Sequence, residues 1–244
     1  MSRSRPTSRI LLSSTVILAV LLLTTIASAE ERERTGYGDT IHVIQPKPVL
    51  QKGRFDLTPR LGMTVNDAVY RNVMVEVTGH YHFTERVYAG AMGQWYGLSA
   101  FLGGPTQTYR DVNAQTQALV DAPHLNWSGG AEVGFVPLFG KFALFNRGII
   151  FYDLSVTAGV TFNEAASIAS PTVRERAVGG TMSVATRFFL NDWMALNLEV
   201  RDVLYQARLS GVSGTVLSHS VTLGAGVSFY LPTTFEYTTS RVVR

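Results

Sequence analysis

The chain has 244 residues, no cysteine, and 21 Lys plus Arg against 18 Asp plus Glu, a formal net charge of +3. The lack of cysteine excludes a disulfide framework and a lipid-modified cysteine anchor. Arg3, Arg5 and Arg9 precede the first acidic residue, Glu30, so the chain from Glu30 onward is formally neutral and its charge gives no argument for a nucleic-acid partner.

Residues 1–29 read as a secretory signal peptide: the three arginines, an apolar run from Ile10 to Ile26, and Ala27-Ser28-Ala29 as an A-x-A cleavage site. The run is short for a span and contains Ser13, Ser14, Thr24 and Thr25, which favours cleavage after Ala29 over an uncleaved anchor. Residues 30–54 form a polar lead-in, with Glu30-Glu31-Arg32-Glu33-Arg34 and then Gln45-Pro46-Lys47-Pro48. Such a segment favours extended, polyproline-like backbone, and it reads as an arm outside any core.

From Phe55 the pattern changes to period two. Phe55, Leu57, Pro59, Leu61, Met63 and Val65 alternate with Asp56, Thr58, Arg60, Gly62, Thr64 and Asn66. Val73, Val75, Val77, Tyr81 and Phe83 oppose Met74, Glu76, Thr78, His80 and His82, and Thr84-Glu85-Arg86 makes a tight turn. A third strand runs from Val87 to about Gly97, with small residues on both faces. Trp127, Ala131, Val133 and Phe135 mark a fourth, and Ile150 to Phe162 a fifth with unbroken alternation. Met182 to Leu190, Met194 to Val200 and Val221 to Leu231 mark the last three. Residues 232–244 are left as a short tail.

Eight strands of roughly ten residues match what tilted strands need to cross a hydrocarbon core. The connections at Thr84 to Arg86, Pro137 to Gly148 and Asn191 to Trp193 are short, whereas Leu98 to Asn126, Asn163 to Gly179 and Gln206 to Ser218 are longer. That order predicts an all-β chain: an eight-stranded antiparallel transmembrane β-barrel with short periplasmic turns, longer extracellular loops and both termini periplasmic. Aromatic girdles are expected from Tyr81, Phe83, Phe135, Phe188, Trp193, Phe229 and Tyr230 on the periplasmic side, and from Trp95, Tyr96, Trp127, Phe162 and Tyr205 on the outer side. A lipocalin-like soluble barrel shows the same period with its apolar face inward. Three lysines after the presequence (Lys47, Lys52 and Lys141), the girdles and the loop order favour the membrane barrel. The last strand adds Gly226, Phe229 and Leu231, similar to the terminal signal read by the bacterial barrel-assembly machinery. Outer-membrane lipid and that machinery are therefore the first expected partners, and the outer membrane the expected location.

With the apolar face in lipid, Arg60, Glu76, Glu132, Asp153, Arg187, Glu199 and Arg201 project into the lumen. An eight-stranded lumen is just wide enough to be filled by side chains, so charges of both signs are expected to pair as an ionic plug. A gated polar path is the alternative use of the same residues. His80 and His82 share one face at a spacing that metal sites use, but no third ligand accompanies them; they read as two luminal polar residues, and neither metal nor cofactor is expected. No G-x-S-x-G is present, and Ser218-His219-Ser220 sits where a strand begins, so no enzyme is expected. The polar loop from Thr106 to Ala118 is a surface loop or a contact region.

Several segments resemble a myxobacterial family of outer-membrane β-barrel proteins. They are Val43 to Phe55 (V-I-Q-P-K-P-V-L-Q-K-G-R-F), Gly140-Lys141-Phe142 with Asn146-Arg147-Gly148, Leu190-Asn191-Asp192-Trp193, Glu199-Val200-Arg201-Asp202 and Ser228-Phe229-Tyr230-Leu231-Pro232. The resemblance runs roughly from Ile41 to Tyr237. Members of that family include barrel subunits of the envelope-spanning machinery for gliding motility and of a related machinery for spore-coat polysaccharide. What the resemblance implies is a structural subunit that binds other envelope proteins, with no catalytic residues to carry over. Pro46, Lys47 and Pro48 are the candidate docking segment. A stand-alone pore or small-solute channel is the alternative.

Overall fold

The alternation that begins at Phe55 closes on itself. In chain order the elements are β1 (Phe55–Thr64), β2 (Tyr70–Arg71), β3 (Val73–His82), β4 (Val87–Trp95), α1 (Ser99–Leu102), β5 (Gly104–Pro105) and α2 (Gln107–Thr116). They continue with β6 (Pro123–Leu144), β7 (Gly148–Ser167), β8 (Arg174–Phe189), β9 (Met194–Ala207) and β10 (Val216–Leu231). The structure is a computed structural model that describes residues 49–67, 69–116, 121–144, 148–170, 172–209 and 214–233. The presequence, the arm up to Pro48 and the tail from residue 234 lie outside the described residues.

Eight strands, β1, β3, β4, β6, β7, β8, β9 and β10, form a closed antiparallel ring in that order. The seam is β1 against β10, from Phe55 opposite Leu231 to Thr64 opposite Thr222. The strand series therefore begins and ends at the same rim. A separate ribbon pairs β2 with β5 at the opposite, loop-bearing rim. Pro59, which lacks a ladder donor, sits in β1 where pairing to β10 lapses between Leu57 and Arg60; there the Thr58 hydroxyl donates to Ser228 Oγ at 2.7 Å.

Side-chain direction decides between the two barrel types. Leu61, Val133, Val160 and Met182 point outward and are 60–64% exposed, while Asp56, Arg60, Glu76 and Arg201 point inward and are at most 4% exposed. A water-soluble barrel needs the reverse arrangement. A closed ring with an apolar outside, whose strands are each paired on both edges, is a β architecture that can cross a bilayer.

Several strands run further than expected. β6 continues through the predicted Pro137 to Gly148 turn as far as Leu144, paired to β7. The register shifts between Phe135 and Leu138, so two residues oppose one and Pro137 falls in a bulge where its missing N–H breaks no ladder bond. Most of the predicted Asn163 to Gly179 loop is likewise paired, from Thr161 opposite Gly179 to Ala166 opposite Arg174. In the extension of β7 the consecutive residues Asn163 to Ser167 are all buried, so no alternation marks them as strand. The 98–126 loop holds two short helices, α1 and α2.

The girdles are smaller than predicted. Tyr81, Phe83, Phe135, Trp193, Trp95 and Phe162 face outward, and Trp193 stacks on Phe229 with centroids 6.2 Å apart. Tyr96, Tyr205 and Tyr230 instead point inward and are buried. Their parity requires it, because Trp95, Leu204 and Leu231 beside them face out.

The outward face is tested by a charge at mid-strand. Val160→Arg is expected to destabilise the barrel refolded into vesicles by about 2–4 kcal/mol in urea titrations, the cost of an arginine near the bilayer centre. The heat-shifted gel band of a closed barrel should persist in the parent protein. A change within about 0.5 kcal/mol would place Val160 in water instead.

Candidate functional site

The lumen is the candidate site, because the strands converge their polar side chains there. Alternate residues of β9 give its order along the axis: Ala195, Asn197, Glu199, Arg201, Val203, Tyr205 and Ala207 all face inward and are buried. Other strands contribute different series, Met74, Glu76, Thr78, His80 and His82 from β3 and Asp153, Ser155, Thr157 and Thr161 from β7, all buried.

All seven predicted luminal charges are buried in the middle layer. Arg60 reaches Glu76 with Nη1, Glu199 Oε2 with Nη2 at 3.0 Å, and Asn197 Oδ1 with Nε at 2.8 Å. Arg201 binds Glu132 Oε2 at 2.5 Å, Glu199 Oε1 at 2.7 Å and Glu76 Oε1 at 3.4 Å, and Nη1 also donates to Thr181 Oγ1 at 3.2 Å. Arg187 makes a bidentate pair with Asp153, 2.8 and 2.9 Å, and its guanidinium carbon lies 5.5 Å from the centroid of the Tyr88 ring. Forked contacts of this kind suit arginine's planar donors, which lysine could not reproduce.

Asp56, not among the seven predicted charges, joins the two halves of the network. His82 Nε2 lies 2.6 Å from Asp56 Oδ2, and His80 bridges Asp56 Oδ1 (3.3 Å) and Glu132 Oε1 (2.7 Å). Both histidines are thus held by carboxylates, and among the described residues no group of side chains is arranged to hold a metal ion. Asp56 was on the polar face of β1 by parity; its nearness to the strand's start hid it. One connected network now links β1, β3, β6, β7, β8 and β9, and the Gln94 amide of β4 donates to Glu76 Oε2 at 2.7 Å.

Glycine makes room for these groups. Gly226 lies opposite Arg60 across the seam, and a Cβ there would sit 2.1 Å from the Pro59 carbonyl oxygen. In the same way the Tyr88 ring covers Gly134, where a Cβ would come within 2.0 Å. Of the three residues proposed as an assembly signal, Gly226 therefore serves the lumen, while Leu231 is outward and half-exposed and Phe229 stacks on Trp193.

Both ends of the network are covered. Toward the loops, Met74, Tyr96, Leu125, Ala165, Val203, Tyr205 and Ala207 pack as an apolar layer, with the Tyr96 hydroxyl donating to Gln94 Oε1 at 3.1 Å. At the terminal rim the end of the expected arm turns into the barrel. Val49 packs with Phe189, Ala195 and Tyr230, and the Gln51 amide donates to Asp153 Oδ2 at 2.7 Å. Arg54 donates to the carbonyls of Leu50, Asp192 and Tyr230, at 3.2, 2.7 and 3.0 Å. This corrects the reading of 30–54 as a free arm: residues 49–54 are part of the barrel's packing. Pro46, Lys47 and Pro48 lie outside the described residues. A cavity of about 10 Å³, room for about one water, lies among Asp56, Arg60, His80, Tyr88 and Arg187.

No family model and no curated protein matches the sequence. Among solved structures the chain is similar to the N-terminal β-barrel domain of Pseudomonas aeruginosa OprF, at 10% identity over 73% of this chain and 98% of that one, TM-score 0.44. It is similar to the outer membrane protein OprG of Pseudomonas aeruginosa, at 10% identity over 75% and 98%, TM-score 0.43. Neisserial surface protein A shares 11% identity over 72% and 94%, TM-score 0.41. Likenesses this distant say nothing of activity. The assignment as a small barrel of the outer-membrane type rests on the chain's own strand order and outward apolar face.

Removing one member of the network leaves buried charge without a partner. Arg201→Met is expected to cost roughly 3–5 kcal/mol in urea unfolding from vesicles, since three carboxylates lose their shared cation. Arg201→Lys should recover only part of that loss. A cost below about 1 kcal/mol for Arg201→Met would mean that water, not Arg201, solvates those carboxylates.

Proposed function

We propose that the chain is a non-enzymatic, structural outer-membrane barrel that anchors other envelope proteins, rather than a conduit. The observation that carries this reading is the lumen, filled from the Val49–Arg54 segment through the ionic layer to the apolar layer under the loops. A pore needs a continuous polar path wide enough for water and solute. Here three guanidiniums, the imidazoles of His80 and His82, and five carboxylates (Asp56, Glu76, Glu132, Asp153 and Glu199) occupy that path and are bonded to one another. Opening it would leave those charges unpaired, at several kcal/mol for each.

A filled, lipid-embedded barrel has two regions left for specific recognition: the loop rim, and the chain that precedes the barrel. The resemblance to the myxobacterial family favours partners in a gliding-motility type of envelope machine. The segment from Glu30 to Pro48 is the preferred contact, because a proline-restricted segment loses less entropy on docking. Val49 to Arg54 would then fix the root of that segment to the barrel, so that load on it is transmitted to the β-sheet through Arg54 and Gln51.

Deleting residues 32–48 spares the packed 49–54 segment and is therefore a clean test. The truncated barrel is expected to reach the outer membrane and keep its heat-shifted band, but to lose co-purification with envelope partners and the associated motility phenotype. Normal co-purification would move the contact to the barrel wall or loops. Loss of the folded band would instead mean that the deletion disturbs the barrel itself.

A further inference from the structure

The loop rim holds a basic pocket that the anchor reading does not use. After β4 the chain turns back over the end of β3 through α1, where Ser99 Oγ accepts the Val73 N–H at 2.9 Å. The Gly103 N–H then donates to the Ser99 carbonyl at 3.1 Å. Only glycine fits at position 103, since a Cβ would lie 2.2 Å from the Arg71 carbonyl oxygen, and Gly104 follows with φ +117°. The close approach pairs Gly104 with Arg71 and Pro105 with Tyr70. It also brings Arg71 to the same cavity as Arg110 of α2, whose Nη2 donates to the Pro105 carbonyl at 3.3 Å.

That cavity is about 270 Å³ and is lined by Arg71, Leu102, Thr106, Gln107 and Arg110 together with the Gly103–Pro105 strap. Two guanidiniums line it and no carboxylate does. The nearby acids are turned to other work: Asp67 Oδ1 accepts the N–H groups of Val69 and Tyr70, and Asp111 Oδ1 accepts the Gln107 amide. Ion pairs at this rim join Arg174 and Arg176 to Glu164, and Arg208 to Glu175; among the described pairs none takes Arg71 or Arg110.

The pocket also has a definite depth. Val73, two residues beyond Arg71, pairs with Met63, whose side chain belongs to the outward apolar face. At a strand rise of about 3.4 Å per residue and a tilt of about 35–45°, Arg71 lies roughly 5 Å above that pair. On β1 the outward apolar series ends two residues past Met63, at Val65 (56% exposed), and Asn66-Asp67 follow, so the apolar face gives way to polar chain near this height. Beside the pocket, Phe101 and Leu102 are 83% and 69% exposed, costly in water but suited to acyl chains at the boundary.

We propose that this pocket binds the phosphate of a phosphorylated lipid in the leaflet at the loop rim, clamped by Arg71 and Arg110 while Phe101 and Leu102 enter its acyl chains. Guanidinium forks match phosphate oxygens, and the apolar pair continues the barrel's established lipid contact. The proposal rests on the placement of the barrel in a bilayer and is independent of the anchor reading.

The test uses the mature chain in phosphatidylcholine nanodiscs doped with diphosphorylated lipid A or with its dephosphorylated form, and native mass spectrometry counts the lipid retained per barrel. The parent protein is expected to retain the phosphorylated form at least about tenfold better, a difference of about 1.4 kcal/mol. Arg71→Gln with Arg110→Gln should abolish that preference while keeping the heat-shifted band, and Phe101→Ser with Leu102→Ser should weaken retention of both lipids. Equal retention of the two lipids by the parent, or an unchanged preference in the double arginine variant, would overturn the proposal. Inorganic phosphate alone is the third arm: displacement of lipid A by it at matched phosphate concentration would make this a free-anion site and refute the lipid assignment. Co-purification with envelope partners should be unaffected by the arginine variants, which separates failure here from failure of the anchor reading.

Discussion

Arg201 gathers Glu76 from β3, Glu132 from β6, Glu199 from its own strand and Thr181 from β8, and the rest of the molecule can be derived from why it must. With lipid outside the ring, every polar side chain that parity assigns to the other face is sent into a space only as wide as the side chains themselves. Water is scarce there, so a charge has to be met by another charge or by a hydrogen-bond donor. Arginine meets that demand better than lysine because one planar group serves several carboxylates at once. The near absence of lysine from the barrel and the three luminal arginines are two faces of one constraint.

The network constrains dynamics as well. Its bonds join strands far apart in sequence, such as Arg201 to Glu132 and Gln51 to Asp153, so a single strand cannot shift register without stranding charge on the opposite wall. Gly226 and Gly134 let Arg60 and Tyr88 lie flat against the neighbouring wall and fill the section without strain. The apolar layer of Met74, Tyr96 and Tyr205 above, and Val49 with Tyr230 below, shield the ionic layer from water on either side. Rigidity of this kind would serve the proposed role as an attachment point.

Period-two alternation made the barrel legible from sequence, and it made the luminal residues legible too, because facing is a matter of parity alone. Parity alone settles two further points. Tyr96, Tyr205 and Tyr230 match the girdles by aromatic type, but Trp95, Leu204 and Leu231 beside them settle their direction inward. Asp56, at the start of β1, is luminal by the same rule. Arg54 and Gln51 could not be read at all, since they enter the lumen from outside any strand, through contacts with Tyr230, Asp192 and Asp153 that no local pattern encodes. The length of β6 past Pro137 was hidden for a different reason: a bulge absorbs a proline that sequence reading treats as a stop.

The central claim is that this lumen is packed shut, and conductance across a planar bilayer tests it most directly. Purified mature protein, shown to be folded by its heat-shifted band, is expected to give no stable channels of porin size at any applied voltage the bilayer survives. Steady, voltage-independent openings from the folded protein would contradict the account, because they require a continuous water path through the layer that Arg60, Arg187 and Arg201 now fill.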